Sequence, residues 1–253
     1  MLNQLKPVIG ACLLLSLFSW EAQAKVIDKI SQSFNVDAAP KLNLQNINGN
    51  VTINAWNKNV ITVNAVITAD TQQDRDNVKV IIEQTGRGID IESKYQENSK
   101  NNNNTAEVVY SISVPNLAEL ASIELVNGAL NITDVKGEIV AKLVNGSFTA
   151  TNMAGNANIS SVNGSIKASY QNNIEALDDI NIEAVNGTIK LYLPNTIGAD
   201  INVDTMHGSV KNDFGLSVDK GAFFGSDLEG VIGDGKVDIN IETVNGSVKI
   251  LNN

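Results

Sequence analysis

The sequence predicts an all-β fold, a single-stranded parallel β-helix (β-solenoid), with a β-sandwich as the alternative. Three observations carry that expectation. A short segment ending in Asn-Gly recurs at near-constant spacing, apolar and polar residues alternate around it, and the asparagine keeps its place from copy to copy.

The repeat is legible from the middle of the chain onward. Val126-Asn127-Gly128-Ala129-Leu130, Val144-Asn145-Gly146-Ser147-Phe148 and Val162-Asn163-Gly164-Ser165-Ile166 are spaced by 18 residues. Val185-Asn186-Gly187-Thr188-Ile189 follows after 23, and Met206-His207-Gly208-Ser209-Val210 after 21. Val244-Asn245-Gly246-Ser247-Val248 comes 38 residues later, about two periods, and an outlying copy, Ile47-Asn48-Gly49, lies near the start. Self-similarity at such a period marks a stacked architecture, here of roughly ten coils.

Each copy has strand chemistry. Asn240-Ile241-Glu242-Thr243-Val244-Asn245-Gly246-Ser247-Val248-Lys249-Ile250 alternates apolar and polar side chains, the period of a half-buried strand. Asn-Gly tolerates positive φ and so marks a sharp turn or bend. Hairpins would close a sandwich, whereas stacked coils would lay like positions on one another about 4.8 Å apart. The fixed asparagine favours stacking, because side-chain amides can form a ladder.

The earlier part is strand-rich but less regular. Val60 to Ile67, Val78 to Ile82 and Val108 to Pro115 read as strands, Asp70 to Asn77 as a charged connection, and Gln96 to Thr105, with Asn101 to Asn104, as a polar loop. Residues 25–115 are expected to form irregular starting coils and 116–253 the regular repeats, as one continuous domain over 25–253. The extra residues of the 23-residue interval fall near Tyr170 to Asp179, an expected surface excursion.

Residues 1–24 read as an address. Lys6 precedes the apolar run Val8 to Trp20, and Ala22-Gln23-Ala24 supplies a cleavage pattern, so the exported chain is expected to begin at Lys25. The run is shorter than the roughly 20 residues a membrane span needs. Ile9-Gly10-Ala11-Cys12 loosely resembles a lipidation box, but Leu13-Leu14-Leu15 continues the apolar segment beyond the cysteine. The expected location is the periplasm or the cell surface, with no transmembrane segment after cleavage.

At this point the residues resemble a known family. The V-N-G-[ST]-[IVF] turns, and the closing run Gly233 to Val248, resemble the bacterial putative-adhesin family of exported domains, over roughly 40–253. The resemblance implies a right-handed β-helix and a cell-envelope location, and it brings no catalytic residues. His207 departs from the pattern by standing where the other copies have asparagine.

Composition removes several function classes. The chain has 253 residues, 43% hydrophobic and 18% charged, with a formal net charge of −10, one cysteine and one histidine. The acidic balance argues against nucleic-acid binding, and the single Cys and His argue against zinc sites. No catalytic, cofactor or metal residues are expected. Ser217-Val218-Asp219-Lys220 matches S-x-x-K without its companion motifs. Elimination from an acidic polysaccharide would want clustered carboxylates for calcium and cationic groups near the substrate, often arginine; the carboxylates are scattered, and only Arg75 and Arg87 exist. A glycosidase needs two facing acids, and nothing singles out a pair such as Asp178 and Glu183.

The charged columns are more informative. Four residues before each repeat glycine stand Glu124, Lys142, Ser160, Glu183, Asp204 and Glu242; three residues after it stand Asn131, Thr149, Lys167, Lys190, Lys211 and Lys249. Stacking would align Lys167, Lys190 and Lys211, with Lys249, into a stripe able to hold an anionic envelope polymer. The plainer expectation is a solvated face. The structural turn ladder comprises Asn127-Gly128, Asn145-Gly146, Asn163-Gly164, Asn186-Gly187, His207-Gly208 and Asn245-Gly246. The functional expectation is an exported, non-enzymatic scaffold that binds an envelope protein or surface glycan. The alternatives are an envelope polysaccharide lyase or glycosidase, and a periplasmic sensor or regulatory partner.

Overall fold

A computed structural model of the chain describes residues 24–96, 105–174, 176–221 and 225–253. The expected leader, the lipidation reading at Cys12 and the Asn101 to Asn104 loop lie outside the described residues.

The chain opens with β1 (Val26–Asn35), β2 (Lys41–Asn48), β3 (Val51–Trp56) and β4 (Val60–Ala69). A short helix α1 (Gln72–Asp76) follows, capped by the Thr71 hydroxyl, which accepts from the Asp74 backbone N–H. Then come β5 (Val78–Thr85), β6 (Gly88–Tyr95) and β7 (Glu107–Pro115). The repeats supply β8 (Glu119–Asn127), β9 (Leu130–Thr133), β10 (Ile139–Asn145), β11 (Phe148–Met153), β12 (Ala157–Asn163), β13 (Ile166–Tyr170), β14 (Asp179–Asn186) and β15 (Ile189–Leu193). The chain closes with β16 (Ala199–His207), β17 (Val210–Asn212), β18 (Asp219–Lys220), β19 (Ser226–Ile232), β20 (Val237–Asn245) and β21 (Val248–Asn252).

The strands form two large mixed sheets, not a closed barrel. The first runs β1-β4-β7-β3-β9-β11-β13-β15-β21-β17 and the second β18-β19-β16-β20-β14-β12-β10-β8-β2-β6-β5. Consecutive strands on either side of a repeat glycine belong to different sheets. β8 lies in the second sheet and β9 in the first, β10 in the second and β11 in the first. Neighbours within the repeat region pair in parallel, like position on like position: Ile159 with Ile182, Ile182 with Ile241, Phe148 with Ile166. No repeat glycine closes an antiparallel hairpin.

Among the described residues, eight pairs of consecutive strands stack in the same order in both sheets: β6/β7, which flanks no repeat glycine, and the seven that do, β2/β3, β8/β9, β10/β11, β12/β13, β14/β15, β20/β21 and β16/β17. At the two ends β1, β4, β5, β18 and β19 pair antiparallel. Stack order also departs from chain order. β20/β21, last in sequence, lies between β14/β15 and β16/β17, and the outlying Ile47 copy lies directly beside the Val126 copy.

Alternation explains the core. β20 reads buried-exposed along Val237 to Thr243, with Val237, Ile239 and Ile241 inside. Inward side chains from both sheets form one cluster running from Leu42 to Ile250. Valine, isoleucine and leucine dominate it, and the largest fully buried side chains are Tyr110, Tyr170 and Phe148. The longer connection between β13 and β14 sits where the 23-residue interval predicts an excursion.

Candidate functional site

The turns are the first element of any surface the protein presents. Asn127 Nδ2 donates to Asn48 Oδ1 at 2.9 Å. Asn145 donates to Asn127, Asn163 to Asn145, Asn186 to Asn163 and Asn245 to Asn186, each at 3.0 Å. Six asparagines thus form one directional chain of amides on the surface. His207 pairs with Asn245 at the end of this column, where no further repeat asparagine waits for a donor. Its departure from the pattern therefore interrupts no amide chain.

Gly49, at φ 120°, takes the positive φ that Asn-Gly tolerates, but most of the repeat glycines serve a different purpose. Asn-Gly predicts a left-handed turn, yet Gly128, Gly146, Gly164 and Gly246 do not adopt positive φ. They are required by close approach. A Cβ on Gly164 would lie 1.9 Å from the Gly146 carbonyl oxygen, and one on Gly246 would lie 1.8 Å from that of Gly187. Each turn rests on the carbonyl of the turn beneath it.

The lysines align on the outer face of the first sheet. Lys167 pairs with Lys190, Lys190 with Lys249, and Lys249 with Lys211. Lys249 therefore separates Lys190 from Lys211, and the row has four members in the order 167-190-249-211. Their strands β13, β15, β21 and β17 carry no carboxylate. Lys167 Nζ lies 5.4 Å from the Tyr192 ring centroid, where the ring face favours a cation. The row continues through Thr149, Asn131 and Thr52, all uncharged.

The outer face of the second sheet carries the opposite charge at the same end. Glu183 pairs with Glu242, Glu242 with Asp204, and Asp204 with Asp227. Exposed Asp179, Asp238, Asp200 and Glu229 stand on the same four strands, β14, β20, β16 and β19, which contain no lysine or arginine. An apolar row runs beside the acids. Ile47, Val126, Val144, Val162, Val185, Val244 and Met206, one per strand, are each 37% to 57% exposed. Between these rows lies a groove of about 470 Å³ touching Val162, Glu183, Val185, Asp204, Met206 and Glu242. The sequence marked the valines only as part of the turn motif; their common exposure needed the structure.

The residues weighed for enzymatic chemistry do not converge. Arg75 bonds Asp28 beside α1, where its guanidinium holds the Asp28 carboxyl below the usual carboxylate range. Arg87 lies at the β5–β6 turn. Asp178 faces Lys236 at 3.9 Å, while Glu183 lines the groove. Lys220 ends β18, a two-residue strand rather than the start of a helix. Among the described residues no group of three or more His, Cys, Asp or Glu could hold a metal ion. No helix among them is long and apolar enough to cross a membrane.

Fold and surface together define an all-β protein of two large mixed sheets whose outer faces carry opposite charge at one end. No family model matches the chain, and no curated protein sequence matches it. Its fold is similar to that of a putative cell adhesion protein from Clostridium sporogenes, at 18% identity and a TM-score of 0.54, covering 89% of this chain and 100% of that one. Similarity also extends to a putative adhesin from Bacteroides fragilis, at 12% identity and a TM-score of 0.42, covering 89% and 97% of the two chains. A putative adhesin from Parabacteroides merdae matches at 12% identity and a TM-score of 0.25, covering 88% and 95%.

Proposed function

We propose that this protein is an exported, non-enzymatic binding domain of the cell envelope, adhesin-like in role. In this reading residues 25–253 form one continuous domain, a right-handed parallel β-helix capped at both ends, and the stacked units make a stiff platform whose outer faces contact a partner. The observation that carries it is the in-register stacking of like residues: the amide chain from Asn245 to Asn48 and the aligned lysines 167, 190, 249 and 211. Stacking of this kind repeats one contact at about 4.8 Å intervals, which suits a polymer with a regular array of charges better than a small substrate.

The ligand class assigned to the lysine row is an anionic envelope glycan. Four like charges on adjacent strands repel by under about 1 kcal/mol per contact in water, so the row is tolerable when empty and favourable when a polyanion bridges it. The test compares binding of polyuronate chains by the native protein and a Lys167/Lys190/Lys211→Glu variant at low salt. Loss of binding in the variant is expected, with recovery of unbound protein as salt shortens the Debye length below about 8 Å. Equal binding by both proteins refutes the assignment.

A further inference from the structure

The opposite face has its own chemistry. Its exposed apolar row crosses seven adjacent strands, six steps of about 4.8 Å, or about 29 Å. Aliphatic side chains in contiguous exposed rows mark interaction surfaces more often than scattered ones do. The row is flanked on one side by the neutral amide chain; on the other stand Glu183, Glu242 and Asp204 over β14, β20 and β16, with Asp227 beyond them on β19, then Ser160, Lys142, Glu124 and Gln45 over β12, β10, β8 and β2. The groove between valines and acids spans β12, β14, β20 and β16. A second, separate hollow of about 430 Å³ lies at the far end of the row, against Ile47, Val126, Glu124 and, on β6, Glu92 and Lys94.

We propose that this groove docks a cationic amphipathic helix of a partner polypeptide. Three features select that occupant. The apolar step of about 4.8 Å lies close to the 5.4 Å turn of an α-helix and far from the roughly 6.8 Å between same-face side chains of an extended strand. A helix of about 20 residues spans about 30 Å, the length of the row. Charge asymmetry sets the rotation of the helix: an apolar stripe on the valines, with lysines or arginines on the flank over the acidic row. Met206, the last residue of the row, is the adaptable contact.

The test uses a synthetic 20-residue Leu/Lys amphipathic helix and a scrambled peptide of the same composition, with the full exported chain. Micromolar binding of the ordered peptide is expected, with a rise in its helical circular dichroism, and the scrambled peptide should bind at least about tenfold more weakly. A Val162/Val185/Val244→Thr variant keeps the β-branched shape and should lose about tenfold in affinity. A Glu183/Glu242/Asp204→Gln/Gln/Asn variant should lose a similar factor and most of its salt dependence. Equal binding of both peptides, an unaffected threonine variant, or binding without added helicity each overturns the proposal. So does capture of phosphatidylglycerol vesicles, through the same valines, in place of the peptide. The lysine-row variant should bind the peptide normally, so failure here is distinct from failure of the glycan assignment.

Discussion

Gly164→Ala tests the stacked turn most directly. The new Cβ would stand 1.9 Å from the Gly146 carbonyl oxygen and 2.7 Å from its carbon, where a real Cβ comes no nearer than about 3.0 Å. Both partners are backbone, so neither can swing aside, and the turns must part by roughly 1 Å or more. Between these two turns Gly146 N–H donates to Asn163 O and Phe148 N–H to Ser165 O, each at 3.0 Å, and such a shift takes these bonds past useful length. Two backbone bonds and one amide contact at about 1 kcal/mol each give about 3 kcal/mol. The alanine returns about 0.4–1 kcal/mol by restricting the unfolded chain. The net loss is about 2–3 kcal/mol, a fall in Tm of about 5–10 °C for a chain of this size. Gly86→Ala is the control, since its Cβ would meet nothing within 4 Å. Thermal unfolding of the two variants decides the matter. Equal Tm values would show that the turns do not rest on one another.

Asn163 accepts from Asn186 and donates to Asn145, so Asn163→Ala should cost about 1–2 kcal/mol in denaturant unfolding, a modest figure because the amides are exposed. Asn163→Asp keeps the acceptor, loses the donor, and should regain stability relative to the native chain below about pH 4, where a protonated carboxyl can donate. Tyr170 OH is buried without a hydrogen-bond partner among the described residues, and burial raises its pKa, so Tyr170→Phe should be neutral or stabilising. Tyr110 OH bonds Ser93 Oγ at 2.7 Å, and Tyr110→Phe should cost about 1 kcal/mol by leaving that hydroxyl alone. Burial pushes the Tyr110 and Tyr95 phenols up to about 12. The folded state therefore holds their protons more tightly than the unfolded one. Their contribution is complete below about pH 10 and fades as pH climbs toward 12. An alkaline titration of native and Tyr110→Phe proteins, followed by circular dichroism, should show the variant losing less stability over that window.

Much of this architecture is written in short stretches of chain. Alternation in Val237 to Thr243 predicts a strand buried on one face, and the strand is so buried. The recurrence of Asn127, Asn145, Asn163, Asn186 and Asn245 predicts like stacked on like, and each of these amides bonds the next. The lysine column was visible by counting from each glycine. The exposed row ending at Val244 and Met206 was hidden, because an apolar residue beside Asn-Gly reads the same whether it points in or out. The reason for the glycines was hidden too. Gly164 reads as a conformational choice, but the constraint on it comes from a carbonyl 18 residues away.

The sequence by itself determined what each repeat unit is: strand, bend, strand, with a fixed inward set of aliphatics and a fixed asparagine. These depend on local periodicity, which a single chain displays. Only the tertiary structure decided which unit lies on which. Every unit offers nearly the same hydrogen-bonding edges, so pattern alone does not distinguish the neighbours of β14. The choice was made at the ends. The antiparallel strand β19 occupies one edge of β16, so the last unit enters on the other, between β14 and β16, and brings Lys249 between Lys190 and Lys211. Long-range pairing, which no local pattern encodes, thus decided the order of the charges on both faces.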